Sequence, residues 1–569
     1  MIRLCALFFC LTTVLSAQQN QYPSDYFGSP LGIPLLLSGN FGELRTNHFH
    51  AGIDIKTNGV EGYKVYAVAE GFVSRIKVQE RGYGNVIYIT HPNGYTTVYA
   101  HLQRLQGAAA DSLKSAQYQQ QSFTVDLNFT ADQLPVKKGE TIGLSGNSGG
   151  SGGAHLHFEI RETYSEIPVN PLLFNLPIKD NISPYVMGIA IYPKGINSTV
   201  NGKEVPNYLK VIKNGNQYKC VDTIQVNGKI GIGVRAVDYL NNSRNPCGVF
   251  DIRLKVNEQE IFAYRTEKIS FDESRYINAH CDYRYKKETG KWVHQLFKLP
   301  NDGLSAYPIR INDGIIKVEK DSIYNVTVEL KDVYGNLSYL KAVLKGNAKT
   351  LNSPFYSSLA TELFSCTTAN VFSTDSFKLF IPDSALYEDV EFKYQQVVNK
   401  EHYSNVHAVH QYTTPLHKNA NMAILCTKPM KDSSKAVVIR MNKKYKSYLT
   451  GVHQNGWMRF ESRYFGTFMV SEDWTKPVVK NRSIYPGKDV SKQSRITFKI
   501  WDSKSGIASY RGEINGQWVL FEYDAKKKQL RYNIDSHVKV GKNQLVLSVK
   551  DKVGNENVFK CSFYNGKVR

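Results

Sequence analysis

At 569 residues the chain is too long for one hydrophobic core, so several domains are expected. Its formal net charge of +21 favours contact with anionic surfaces. An export signal at the start of the chain turns that expectation towards wall polymers and lipid head groups and away from nucleic acid.

The signal occupies residues 1–17. Met1, Ile2 and Arg3 precede an apolar run from Leu4 to Leu15, and Ser16-Ala17 forms a cleavage site ahead of Gln18. The run is shorter than the ~20 apolar residues that span a bilayer, and no other stretch is long and apolar enough, so stable membrane insertion is not expected. Cys10 does not read as a lipid-attachment site, because Phe8 and Phe9 are bulky before it. The mature protein is expected in the periplasm, at the cell surface or outside the cell. Six cysteines follow the signal (Cys220, Cys247, Cys281, Cys366, Cys426 and Cys561), with no Cys-x-x-Cys spacing to suggest thiolate metal binding. Cys220 with Cys247 is the first disulfide to consider, and buried thiols are the alternative.

Residues 18–177 read as an all-β unit. Gln18 to Pro30 is an extended lead-in, and Leu31 to Leu37 is expected against a sheet. The stretch Asn47-His48-Phe49-His50-Ala51-Gly52-Ile53-Asp54 offers donors; Lys64 to Ala69 and Gly71 to Val78 alternate as strands; a hairpin turns at Pro92 to Gly94 and leads to Tyr99-Ala100-His101-Leu102. Ala108 to Gln121 holds good helix formers with almost no apolar stripe, which predicts a surface helix rather than a lid. The Gly/Ser-rich turn from Gly143 to Gly153 lacks the Gly-Lys-Ser/Thr ending of a phosphate loop and runs into a strand, so it reads as a flexible loop. In that strand Leu156, Phe158 and Ile160 take one face, and His155, His157 and Glu159 take the other. With His50 and Asp54, one histidine of this strand completes a three-ligand zinc site that leaves a fourth position for water.

The order His50-x-x-x-Asp54, Tyr99-Ala100-His101-Leu102, Gly/Ser-rich turn and His155-Leu156-His157-Phe158-Glu159 resembles the lysostaphin/LytM-type zinc metallopeptidases of family M23. The resemblance covers residues 25–175. It implies an antiparallel β peptidase fold, Zn2+ ligands at His50, Asp54 and His157, and His101 with His155 as the catalytic pair. Bound zinc would bring the pKa of water from about 16 towards neutrality, and the two histidines would divide proton acceptance from oxyanion or leaving-group stabilisation. No His-Glu-x-x-His is present, so a glutamate base of that kind has no counterpart. Glu159 is expected to orient a ligand. His48, beside His50, lacks an Asp four residues on, and His91 reads as a turn residue.

Beyond the peptidase unit the chain repeats. Asp180 to Val186 leads to Tyr192-Pro193, and Asp473 to Val479 leads to Tyr485-Pro486 with the same spacing. Asp238, Asp332-Val333-Tyr334-Gly335-Asn336 and Asp551-Lys552-Val553-Gly554-Asn555 each follow an alternating strand. Together these predict immunoglobulin-like β-sandwich modules at 178–256, 257–350 and 473–569, with a divergent β domain at 351–472. The first two are read as separate, although one enlarged unit is the alternative. His402, His407, His410 and His417 are expected at the surface rather than on a second metal.

The fold class is therefore mostly β. The implied activity is zinc-dependent endopeptidase cleavage of peptidoglycan peptide stems or cross-links. A non-catalytic peptidoglycan-binding or hydrolase-regulating protein is the alternative, and a scaffold built on the β modules is a third.

Overall fold

The computed structural model describes residues 22–347, 362–443 and 445–566. The signal-peptide expectation therefore lies outside the described residues. Among those described, no helix is long and apolar enough to cross a membrane.

The first unit is built on one antiparallel sheet. Its strands are β1 (Leu37–Gly39), β2 (Ile53–Lys56), β3 (Gly71–Val78), β4 (Asn85–Thr90) and β5 (Tyr95–Leu102); helix α1 (Gly107–Gln120), β6 (Val125–Asn128) and β7 (His155–Glu162) follow. The strand order is β1-β2-β7-β5-β4-β3-β6, with two short strands paired onto β3 and β7. β7 is the central strand for function, because it pairs with β2 on one side and β5 on the other. Its apolar face, Leu156, Phe158 and Ile160, is fully buried in the core of this unit.

The next strands are β8 (Tyr185–Pro193), β9 (Gln217–Asn227), β10 (Lys229–Val237), β11 (Asp251–Val256), β12 (Gln259–Arg265), β13 (Ile323–Lys331) and β14 (Leu337–Gly346). β8 and β10 pair in a five-stranded sheet, and β9, β14, β13, β11 and β12 run in that order through an eight-stranded one. β9 lies parallel to β14, so strands from either side of position 256 interleave around one core. Residues 362–472 form two five-stranded sheets and a small ribbon, and the C-terminal unit forms two four-stranded sheets.

The cores of the first two units trade residues. Phe41, Leu44 and Phe49 precede the peptidase sheet's β2 yet lie in the sandwich core, where the Phe49 ring meets Tyr264 and His280. Leu240 and Cys247 make the reverse crossing into the peptidase core. This separates Cys220, in the sandwich core, from Cys247 and leaves the buried-thiol alternative rather than their disulfide; all six cysteines of the described residues are free thiols. Five are buried and behave as small apolar groups.

Two surface expectations also change. Helix α1 forms as expected, but Tyr118 docks it: its hydroxyl donates to Asp535 Oδ2 at 2.6 Å and its ring stacks on His537 of the C-terminal unit. His407 is fully buried, stacked on Phe377 and bonded to Tyr394 at 2.8 Å, while His410 and His417 are half-buried against aromatic rings. Flanking aromatics, rather than their own spacing, draw these histidines inward.

Phe49→Ala removes a buried ring that the N-terminal segment contributes to the sandwich core and is expected to cost about 3–5 kcal/mol. Calorimetry should show the peptidase and first sandwich losing stability together; a lowered transition for only one of them would contradict a shared core.

Candidate metal centre

The site stands where β2, β5 and β7 lie side by side. In register, His157 faces Asp54 on β2 and Ala100 on β5. His50 arrives from the ribbon Leu44–Arg45/His48–Phe49, which Asn47 turns with a left-handed φ of 65°. Three donor atoms form a triangle. His50 Nε2 is 3.0 Å from His157 Nδ1, His157 Nδ1 is 2.8 Å from Asp54 Oδ1, and Asp54 Oδ1 is 3.1 Å from His50 Nε2. All three residues are buried. Two imidazole nitrogens and a carboxylate oxygen suit zinc, whose tetrahedral bonds of about 2.0–2.2 Å set ligand atoms about 3.4 Å apart.

Each candidate ligand is oriented from behind. His50 Nδ1 lies 2.8 Å from the Asn40 carbonyl; a carbonyl can only accept, so Nδ1 carries hydrogen and Nε2 presents its lone pair. Asn40 is itself locked by two amide hydrogen bonds to the Gly248 backbone, at 2.7 and 2.8 Å. His157 Nε2 lies 2.8 Å from Glu159 Oε1, which also accepts from the Tyr83 hydroxyl at 2.5 Å. Glu159 Oε2 accepts from Arg161 Nε at 2.7 Å, so a fully buried carboxylate has three donors. On the other ligand, Arg45 Nη2 donates to Asp54 Oδ2 at 2.5 Å.

The remaining histidines flank the triangle. His155 Nε2 is 3.3 Å from Asp54 Oδ1, and its Nδ1 is 2.9 Å from the Gly153 carbonyl. The His101 ring centroid is 4.9 Å from that of His155 and 5.8 Å from that of His157, with Nδ1 2.9 Å from the Ser148 carbonyl. His101 has a positive φ of 59°, and the β4/β5 register slips beside it. That bulge takes His101 out of the strand alternation and re-aims its ring.

The charges are arranged unevenly. Burial would push Asp54 up, but the His50 imidazole and hydrogen bonds from His155, His157 and His50 hold it well below the usual carboxylate range. Burial also opposes a charge on His157, yet hydrogen bonds to Asp54 and Glu159 raise it to about 9. Burial, with the neighbouring His157 and His155 imidazoles, lowers His101 to about 3, so its neutral form prevails at neutral pH.

All five residues singled out in the sequence lie in this one cluster. His48 is exposed, with Nδ1 3.0 Å from the Thr46 carbonyl, and His91 is buried, bonded to the Glu70 carbonyl and to Thr97. Asn40, Arg45, Tyr83 and Arg161 were not singled out. Arg161 continues the polar face of β7, so the alternation that marks Glu159 also marks it; Asn40 has no comparable signal. The Gly-rich loop at the rim is held from outside: Lys526 of the C-terminal unit bonds the Asn147 carbonyl, Asn147 Oδ1 at 2.7 Å and the Ser151 carbonyl at 3.0 Å.

Comparison with known proteins gives two family matches. Residues 48–119 match the model of Peptidase family M23, and residues 361–473 match that of a Zu5-like domain. The DD-carboxypeptidase/endopeptidase Mpg of Neisseria meningitidis serogroup B is 35% identical over 134 residues, 24% of either chain. The murein hydrolase activator NlpD of Escherichia coli K12 is 34% identical over 123 residues, 22% of this chain and 25% of its own. The match thus spans about a quarter of the length of these relatives. The catalytic domain of lysostaphin from Staphylococcus simulans aligns at 22% identity and a TM-score of 0.19, covering 25% of this chain and 92% of that one. The family model and the two sequence relatives agree that this segment of the N-terminal unit is similar to peptidase family M23.

Proposed function

We propose that the N-terminal domain is a zinc-dependent endopeptidase acting in the bacterial envelope, where it cuts peptide stems or cross-links of peptidoglycan. The observation that carries this reading is the buried triangle of His50 Nε2, Asp54 Oδ1 and His157 Nδ1 with two further histidines beside it. Names borne by relatives, a DD-carboxypeptidase/endopeptidase and a murein hydrolase activator, support peptidoglycan as the substrate. The net charge of +21 suits retention at an anionic surface.

When bound, zinc supplies Lewis-acid polarisation of a peptide carbonyl and acidification of water. His50, Asp54 and His157 would hold it. Glu159 and the Asn40 carbonyl keep the two imidazoles in the tautomers that ligation needs. Arg45 occupies the outer oxygen of Asp54 and leaves Oδ1 for the metal. His101, with Nδ1–H donated to Ser148, presents an Nε2 lone pair that suits proton acceptance from the attacking water. His155 is anchored in the same way on Gly153; with hydrogen on Nε2 as well, as an imidazolium, it would donate to the oxyanion or to the departing amine. The Gly-rich loop carries both anchors, which explains a glycine-rich segment beside two catalytic side chains.

The second reading, a non-catalytic regulator, is favoured by the relative named as a hydrolase activator. One experiment separates the two. Purified sacculi digested by the full chain should release peptide fragments that a chelator and His157→Ala both abolish. No fragments from a folded, zinc-loaded protein would favour the regulator.

Glu159→Gln weakens the orientation of His157 and is expected to lower zinc affinity about 10–100-fold, measured by competition with a chromophoric chelator. An unchanged affinity would remove Glu159 from the site's support. Truncation at residue 177 would strip Phe49 of its sandwich partners, so the influence of the C-terminal unit is better read in the full chain. Lys526→Ala, which frees the Gly-rich loop, is expected to raise the cleavage rate severalfold; an unchanged rate would make the contact a spacer.

A further inference from the structure

Outside the peptidase site, three carboxylates converge at each of two places. Asp180, Asp238 and Asp332 form one set and Asp473, Asp502 and Asp551 the other; within each, one oxygen per residue lies within 4.8 Å of the others. The sets occupy corresponding positions in the two units. Asp180 and Asp473 open their units, Asp238 and Asp502 directly follow the strands β10 and Arg495–Trp501, and Asp332 and Asp551 begin the Asp-x-x-Gly-Asn turns. The same scaffold holds both. Asn336 Nδ2 donates to Asp332 Oδ2 at 2.7 Å and to the Asp180 carbonyl at 3.3 Å, and Asn555 Nδ2 donates to Asp551 Oδ2 and the Asp473 carbonyl, each at 2.8 Å.

These bonds position the carboxylates without satisfying them. Asp238 is only 3% exposed, yet its Oδ1 has no hydrogen-bond partner, and the same is true of Asp180 Oδ2. At the second set, Asp502 Oδ2 and Ser505 Oγ are buried and unpartnered; Ser505 is 5% exposed, and its backbone N–H donates to Asp473 Oδ2 at 3.1 Å. No lysine or arginine of the described residues pairs with the first set, and Lys504 Nζ is 3.8 Å from Asp473 Oδ1 at the second. Burial, with the charges of Asp332 and Asp180, pushes Asp238 up to about 8. Buried carboxylates facing one another, with no cationic side chain at the first set and only Lys504, at 3.8 Å, at the second, call for a cation.

We propose that each triad binds a divalent cation of the calcium class. All donors are hard oxygens, which select calcium, magnesium or manganese over zinc. A donor span of up to 4.8 Å is close to twice the calcium–oxygen distance of about 2.3–2.6 Å. The unpartnered oxygens of Asp180, Asp238 and Asp502 become ligands, and backbone carbonyls and water complete the shell.

Both positions are junctions between folded units. Around the first triad, Leu240 and Cys247 enter the peptidase core, Val333 packs on it, and Ser243 Oγ accepts from Lys56 Nζ at 2.8 Å, at the end of the strand that carries Asp54. At the second, Lys435 of the Zu5-like unit accepts from the Asp473 N–H and donates to the Val553 carbonyl, both at 2.8 Å. The cations would therefore pin the units to one another, and with them the reach of Lys526 to the Gly-rich loop.

The test uses the full chain, stripped with a calcium-selective chelator and titrated with CaCl2 by calorimetry and with TbCl3 by luminescence. Wild type should take up two equivalents with a rise in Tm of several degrees. Asp238→Asn and Asp502→Asn should each take up one, and the double variant none, while zinc content stays that of wild type and reports a folded peptidase. If Asp238→Asn does not fold, Asp180→Asn replaces it at the more exposed member of the triad. Wild type that binds neither calcium, magnesium nor manganese, and shows no shift in Tm, overturns the proposal. Uptake of a single equivalent, lost only in Asp238→Asn, overturns the second site; binding that survives both substitutions overturns the assignment of these residues.

Discussion

The register of one strand governs the peptidase site. β7 runs between β2 and β5, and backbone hydrogen bonding on both sides fixes His157 opposite Asp54 and Ala100. A slip of one residue would turn Leu156 and Phe158 out of the core and swing all three polar side chains into it. The buried aliphatic face therefore enforces, residue by residue, the convergence of the opposite face on Asp54. His50 then needs only a two-strand ribbon to bring its Nε2 to 3.0 Å from His157. Fold stability and ligand geometry are two faces of the same pairing.

Support for that site crosses domain boundaries. Asn40 stands between His50 and Gly248, so the orientation of the His50 imidazole passes through one amide to the first sandwich. Phe49, one residue from His50, is buried in the sandwich core. At the far end of the chain, the C-terminal unit returns to grip α1 through Tyr118 and the Gly-rich loop through Lys526. The N-terminal unit is thus contacted both by the sandwich that follows it in sequence and by a C-terminal unit that meets it only in space. This arrangement ties the geometry of the candidate metal centre to that of the junctions, and the repeated aspartate triads lie at two such junctions.

The site was legible to a high degree because its signals are local. His155, His157 and Glu159 are set by period-two alternation over six residues, and His50 with Asp54 by a four-residue spacing. The all-β character was equally open to reading, since alternation and turn residues recur along the chain. Other features left no local trace. Cys220 and Cys247 share a predicted sandwich by sequence proximity, yet they face different cores. The histidines between 402 and 417 look like surface residues until Phe377, Tyr394 and Tyr276 are packed on them. His101 was identified by resemblance, whereas its aim depends on a bulge that no residue type announces.

The sequence by itself determined which atoms are available for ligation and which face of each strand carries them, because side-chain direction along a strand follows from backbone geometry alone. It also determined the repeat, in which Asp180 recurs as Asp473 and the Asp332 turn as the Asp551 turn; that Asp502 corresponds to Asp238 emerges only from the strands they follow. Tertiary structure decided the rest: the Asn40–Gly248 lock across 208 positions, the burial of Phe49 in a neighbouring core, the docking of α1, and the meeting of each triad. These depend on contacts between segments far apart in the chain. Such contacts are selected by the packing of whole surfaces, and no periodicity within either segment encodes its partner.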